Sequence, residues 1–142
     1  MTDHEPATVT RLSRPDIDIT VPADGAYLSV LRTAAAGLAA RLDFTLDDIE
    51  DLRVAVDEAC SILLAQASDG RLRCTFTVSD ASLTVAARVP SHDPRPPTQD
   101  GFAWTVLTAL ATKVEVKVVS PSTGGHDLVI CLTHARSTDP AS

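Results

Sequence analysis

The sequence predicts an α+β fold in which a mixed, mostly antiparallel sheet carries its helices on one face. Apolar residues recur with the period of an α-helix in two adjoining segments, and with the period of a β-strand in segments on either side of them. At 142 residues, 44% of them apolar, the chain is long enough to bury such a core as one domain. A two-layer sandwich is the expected architecture.

The N-terminal half reads as a strand followed by two helices. Residues 16–21 alternate in polarity and Pro22 ends the pattern, as expected of a half-buried strand. A first helix is predicted by an apolar stripe that consists of Leu28, Leu31, Ala35, Leu38 and Leu42. A second helix is expected from Thr45 to Ala67, because Thr45 followed by Asp48 is close to a capping box.

The C-terminal half reads as two hairpins separated by a loop and a short helix. Residues 72–89 alternate around a turn near Asp80, and residues 114–118 and 128–132 alternate around a second turn. Between the hairpins, Pro90 to Gly101 contains four prolines and no apolar pattern, which predicts a long surface loop. Residues 102–111 have helical spacing, and Asp100 is the expected N-cap.

The terminal segments, the net charge and the content of cysteine and histidine limit the classes of function that the protein can have. Residues 1–14 and 135–142 are expected to be disordered tails around a domain of residues 15–134. The net charge of −7 disfavours a nucleic-acid partner, and the absence of a long apolar run or signal peptide predicts a cytoplasmic protein without a membrane partner. The three cysteines are expected to be buried thiols, and the four histidines receive no role because they lack ligand spacing.

Asp57 and Glu58 are two adjacent acids in an otherwise apolar helix. Neighbours on a helix diverge by about 100°, so both cannot enter the core without partners. At least one is expected to face a cleft or solvent. From the residues alone, a solvated margin of a packed helix is the favoured explanation, and a functional site needs further evidence.

The string LDFTLDDIEDLRVAVDEACSI, which contains these acids, resembles the corresponding helix of the RsbW-type anti-sigma factors without a gap. Those proteins are serine kinases of the GHKL ATPase superfamily, and the chain in particular resembles actinobacterial stress-response anti-sigma factors. The resemblance extends over residues 16–132 and implies the histidine-kinase-like ATPase fold, of Bergerat type.

The resemblance also implies roles for residues of a nucleotide site. Glu58 stands where the family has its general base, and Ile62 stands where the family has an Asn that holds magnesium. Because an aliphatic side chain cannot ligate Mg²⁺, the resemblance implies no metal ligand here. The family's DxGxG motif corresponds to AARVPS at residues 86–91, without carboxylate or glycine. Of the phosphate loop, Gly101 matches the first glycine and Ala103 replaces the second; a plain helix start is the alternative at Gly101.

A partner-binding surface is better preserved than the nucleotide site. Arg32, with Tyr27 and Leu28 beside it, matches a family arginine that grips the sigma factor and its competitor. The planar guanidinium group suits bidentate contacts with carboxylates. Taken without the resemblance, Arg32 is explained better as an ordinary exposed residue of a helix. The family also implies a homodimer through the first strand and helix.

The expected function is that of an anti-sigma factor, which sequesters an alternative sigma factor until a STAS-domain antagonist releases it. The alternative is an active serine kinase that phosphorylates the antagonist, with ATP and Mg²⁺ as cofactors. A third possibility is another ligand in the altered nucleotide site. The residues favour the non-enzymatic function, because Ile62, Ala103 and residues 86–91 all depart from the kinase pattern.

Overall fold

The computed structural model describes residues 15–68, 70–93, 95–121 and 124–137, which form one sheet and three α-helices. The strands run in the order β1-β2-β3-β5-β4, and every neighbouring pair is antiparallel. The strands are β1 (Ile17–Pro22), β2 (Arg71–Val78), β3 (Ser82–Ser91), β4 (Lys113–Val119) and β5 (His126–Ala135). The helices are α1 (Leu28–Arg41), α2 (Leu46–Leu64) and α3 (Phe102–Leu110). The predicted α+β class is confirmed, with a fully antiparallel sheet where a mixed one was expected.

The two-layer arrangement follows from the alternation along the strands. In β3, every second residue from Leu83 to Ser91 is buried, and the residues between them are half-buried on the other face. The buried side chains face α2, which packs against β3 and β5. Helices α1 and α3 pack against α2 in turn, so all three helices lie on the same face of the sheet.

Helix α2 begins where the capping residue predicts it. The Thr45 hydroxyl accepts a hydrogen bond from the Asp48 backbone N–H at 3.1 Å, and Asp47 and Asp48 lie in the first turn, where the helix dipole favours acids. The buried face of the helix then recurs at helical spacing. It consists of Leu52, Ala55, Val56, Ala59, Cys60 and Leu63. The helix ends at Leu64, three residues before the predicted end at Ala67.

Two predicted boundaries differ from the structure. Pro90 and Ser91 belong to β3 and lie opposite Asp127 and His126 of β5, so the proline-rich loop begins at residue 92. Residues 135–137, expected in the C-terminal tail, are part of the folded unit: Ala135 ends β5 and Ser137 binds Asp48. The rest of the two predicted tails, residues 1–14 and 138–142, lies outside the described residues.

Candidate functional site

A cleft of about 350 Å³ lies between the C-terminal half of α2 and the start of α3. Ile62, Gly101 and Ala103, the three residues that the sequence assigned to an altered nucleotide site, all line it. They come from two helices about 40 residues apart in the chain and meet only because α3 packs against α2. The other lining residues are Ser61, Ala65, Gln66, Pro97, Thr98, Asp100, Phe102 and Trp104.

The chemistry of this cleft is mainly apolar. Asp100 is the only charged side chain among its described lining residues, so a polyphosphate would meet a carboxylate there and no Lys or Arg. Phe102 is 81% exposed at the mouth of the cleft, and Trp104 is half-buried. Ile62, also half-buried, presents no oxygen or nitrogen that could hold a metal ion. In the described parts of the chain, no three His, Cys, Asp or Glu residues cluster as metal ligands would.

The start of α3 depends on Gly101. Gly101 has backbone angles of φ 117° and ψ 166°, which residues other than glycine rarely adopt, and it occupies the N-cap position of the helix. The predicted cap by Asp100 is wrong, because the N-cap is Gly101 and no side chain caps this helix. The backbone N–H groups of the first turn are therefore not satisfied by a capping side chain.

The loop that borders the cleft is held against the end of α2. The Ser91 hydroxyl donates a hydrogen bond to the Gln66 carbonyl at 2.8 Å, and the Ser68 backbone N–H donates to the Pro90 carbonyl at 2.9 Å. Farther along, Arg95 forms an ion pair with Asp93 at 2.9 Å. The first two contacts attach the start of the loop to the end of α2, the ion pair lies within the loop, and Gln66 Nε2 donates a hydrogen bond to the Arg95 carbonyl at 3.4 Å.

Glu58, the predicted general base, lies on α2 one turn before Ile62. It is half-buried and is not among the lining residues of the cleft. Its neighbour Asp57 is also half-buried and faces α1 instead. The structure therefore separates the two acids onto different sides of α2, as their helical spacing requires.

The predicted partner-binding residues separate into exposed and buried groups. Tyr27, in a 3₁₀ turn (Gly25–Tyr27), is 40% exposed, and the side chain of Arg32 is 38% exposed. Leu28 is only 8% exposed and packs in the core, so its prediction as a contact residue is wrong for this conformation. Arg32 Nη1 lies 3.7 Å from Asp57 Oδ1, across the boundary between α1 and α2.

Sequence reasoning missed a buried polar cluster at the other end of α2. His134 is 6% exposed, and its Nε2 atom lies 3.2 Å from Asp48 Oδ1. It sits within β5, not in a loop or tail, and continues the inward alternation of Leu128, Ile130 and Leu132. Extending that alternation by one step would have placed His134 in the core. His126 is also within β5.

No family model matches this chain. The chain is 43% identical over 60 residues to the serine-protein kinase RsbW of Halalkalibacterium halodurans, which is 42% of this chain and 37% of that protein. It is 36% identical over 73 residues to the RsbW of Bacillus velezensis, covering 49% of this chain and 46% of that protein.

A serine-protein kinase RsbW of Bacillus cereus is 39% identical over 74 residues, covering 50% of this chain and 46% of that protein. The chain thus spans less than half the length of these curated relatives. No helix among the described residues is both long and apolar enough to span a membrane. Over about half of its length, the chain is therefore similar to proteins named serine-protein kinase RsbW.

Proposed function

We propose that this protein is an anti-sigma factor that sequesters an alternative sigma factor and is released by a STAS-domain antagonist, with a degenerate ATP site. One contrast carries the proposal. Arg32 keeps an exposed guanidinium group on the partner-binding helix, whereas Ile62 and Ala103 replace nucleotide-binding residues in the cleft. Sequestration requires a surface and no catalysis, so these replacements leave it unaffected.

Tyr27 and Arg32 suit a protein interface. Tyrosine and arginine are enriched among residues whose truncation costs the most binding energy, because each combines apolar area with a polar end. The two residues lie within six positions at the start of α1 and are each about two-fifths exposed. We further propose that the protein acts in the cytoplasm as a homodimer formed through β1 and α1.

The test is co-purification with the sigma factor encoded nearest the gene. We expect a complex with the parent chain and at least about tenfold weaker binding for Arg32→Ala, since a hydrogen bond to a charged group is lost. Arg41→Ala, at the exposed C-terminal end of the same helix, serves as the control and should bind as the parent does. Absence of a complex with every sigma factor of the cell would refute the proposal.

An active serine kinase is the second candidate, because Glu58 is retained and the relatives bear the name serine-protein kinase. Trp104 is the only tryptophan of the chain and lines the cleft, so its fluorescence reports on occupancy. Under our proposal, titration with Mg-ATP leaves the fluorescence and the calorimetric heat unchanged up to millimolar concentration. Micromolar binding, with phosphorylation of the antagonist that Glu58→Ala abolishes, would favour the kinase instead.

A further inference from the structure

Strand β4 forms one edge of the sheet, and β5 is its only neighbour among the described residues. Its seven residues pair with β5 in one unbroken register, without a proline, a glycine or a β-bulge. Half of the backbone N–H and C=O groups of β4 therefore point away from the sheet. An edge of this length, without those protective features, can accept another β-strand.

The side chains of β4 alternate between two kinds of surface. Val114 and Val116 are half-buried against the core on the helix-covered face, and Val118 on the same face is 36% exposed. The other face of the strand carries exposed charges of alternating sign, in the order Lys113, Glu115 and Lys117. A strand that pairs with β4 must match an apolar row on one face and a charged row on the other.

The sequence of β4 is complementary to itself in one antiparallel register. If a two-fold axis passes through Val116, that residue lies opposite its own copy, and Val114 lies opposite Val118 of the second copy. On the charged face, Glu115 then lies opposite Lys117 of the second copy, once on each side of the axis. Directly opposed residues share a face, so these pairs are apolar on one face and of opposite charge on the other.

Other registers lack this complementarity. An axis through Glu115 places two carboxylates opposite each other, and an axis through Lys117 places two ammonium groups opposite each other. A shift of the pairing by one residue brings the valines of one strand to the charged face of the other. The register centred on Val116 therefore matches both faces better than its neighbours do.

We infer that β4 is an interface with β4 of a second copy of this chain, paired antiparallel about Val116. Glu115 Oε2 lies 4.0 Å from Lys113 Nζ, too long for a hydrogen bond, so the carboxylate can accept one from Lys117 of the second copy. The pairing also covers Val118. Because β4 and β1 are opposite edges of the sheet, this contact is separate from the dimer proposed through β1 and α1, and it does not depend on the proposed function.

Exchange of charges tests the pairing, with the mass of the full chain measured by sedimentation equilibrium at increasing concentration. Seven residue pairs make a small interface, so we expect association in the micromolar range. Lys117→Glu places like charges at both contacts with Glu115 and should weaken the association at least about tenfold, and so should Glu115→Lys. An equimolar mixture of these two variants restores both opposite-charge contacts and should associate as the parent does.

Lys113→Glu is the matched control for these variants. It makes the same change of charge on the same strand and face, but in the proposed register Lys113 lies opposite Val119 of the second copy. We therefore expect its association to differ little from that of the parent.

A disulfide tests the register itself. Val116→Cys places two thiols opposite each other on strands whose Cα atoms are about 4.5–5.5 Å apart, which a disulfide can span. Val118→Cys, on the same face, leaves its two copies about 13 Å apart and is the control. Under mild oxidation, we expect a covalent dimer of Val116→Cys and none of Val118→Cys.

These assays contain no sigma factor, so their results decide the inference independently of the proposed function. Equal association of the parent and Lys117→Glu at every concentration, or no more covalent dimer of Val116→Cys than of Val118→Cys, overturns the inference. A dimer formed through β1 and α1 leaves the test valid, because each comparison is between variants that share that surface. Equal thermal melting of the variants and the parent shows that association, and not folding, has changed.

Discussion

At the residue scale, one buried carboxylate connects distant parts of the chain. Asp48 accepts hydrogen bonds from the Ser137 backbone N–H at 2.9 Å and from its hydroxyl at 2.8 Å, and it also contacts His134. Burial raises the pKa of Asp48, but hydrogen bonds from Ser137, His134 and Thr45 outweigh it and lower the pKa to about 2. The fold therefore stabilises the ionised form of this carboxylate.

This lowered pKa predicts an acid-sensitive stability. The pKa of Asp48 is lowered from its usual value of 3.8 to about 2, so the ionised carboxylate stabilises the folded state. This stabilisation is fully present above about pH 4 and is lost as the pH falls toward 2. It amounts to about 2 kcal/mol of unfolding free energy. Urea unfolding between pH 2 and 6 measures it. In Asp48→Asn this part of the pH dependence should disappear, whereas Asp47→Asn, exposed on the same turn, should keep it. Equal pH profiles for Asp48→Asn and the parent would contradict the assignment.

A second residue-scale prediction concerns Ile62. Replacing it with Asn supplies the amide that the family uses for magnesium, but it leaves Ala103 in place of a glycine and adds no cation to the cleft. We therefore expect Ile62→Asn to show no phosphorylation of the antagonist in an assay with radiolabelled ATP. Ile62→Gln, of similar polarity but different length, is the matched control. Measurable phosphorylation by Ile62→Asn alone would show that the other departures matter little.

At the scale of elements, the junction between α2 and β2 is packed tightly against β3. A Cβ atom added at Gly70 would lie 2.8 Å from Pro90 Cγ, and the backbone there has φ 152°. The Gly70 carbonyl also accepts a hydrogen bond from the Ala23 backbone N–H at 3.0 Å, which ties the end of β1 to this junction. The close approach of Gly70 to Pro90 thus helps to align β1, β2 and β3.

Two alanine substitutions test this packing, and they should have opposite effects. Gly70→Ala should lower the unfolding free energy by about 1–3 kcal/mol, because a proline ring cannot move aside as a flexible side chain can. Gly37→Ala, within α1 and with no atom within 4 Å of the added Cβ, should raise it by up to about 1 kcal/mol. Chemical denaturation of both variants measures the difference. A stabilising Gly70→Ala would mean that the junction relaxes freely.

At the scale of the whole molecule, the two faces of the sheet have different environments. The helix-covered face is fully buried at its centre and contains the Cys74 thiol, while Cys60 faces it from α2. The other face is lined by Thr75, Thr77, Thr84, Ala86 and Cys131 among others, and Cys131 is only half-buried. The prediction of buried thiols is thus confirmed for Cys60 and Cys74 and wrong for Cys131.

This difference predicts how the thiols react. Burial raises the pKa of Cys60 to about 12 and that of Cys74 well above its usual value, so neither forms the reactive thiolate in the folded chain. Burial also raises the pKa of Cys131, so it should react more slowly than a free thiol. We expect a colorimetric thiol reagent to modify one cysteine per folded chain and all three after unfolding. Cys131→Ser should abolish the native reaction; a remaining native reaction would contradict the fold.

Whether the sequence alone predicts a feature of this structure depends on how far apart in the chain the residues that determine it lie. The α+β class, the presence of β1 to within one residue at each end, and the start of α2 at Thr45 follow from periodicity and capping, which act within a few residues. The family resemblance also assigned Ile62 of the helix motif and Gly101 and Ala103 of the phosphate loop to one site, and these three residues line one cleft in the structure. In that case the resemblance supplied the long-range information that local patterns lack.

The tertiary structure alone decided which side chains are available and which are buried. Leu28 was assigned both to the apolar stripe of α1 and to the partner-binding surface beside Tyr27, and packing of α1 decides between these by placing Leu28 in the core. Asp48 and His134 meet across 86 residues, and Arg32 meets Asp57 across two helices. Such contacts depend on how separate elements pack, which no local pattern encodes, since each element can satisfy its own periodicity in many relative positions.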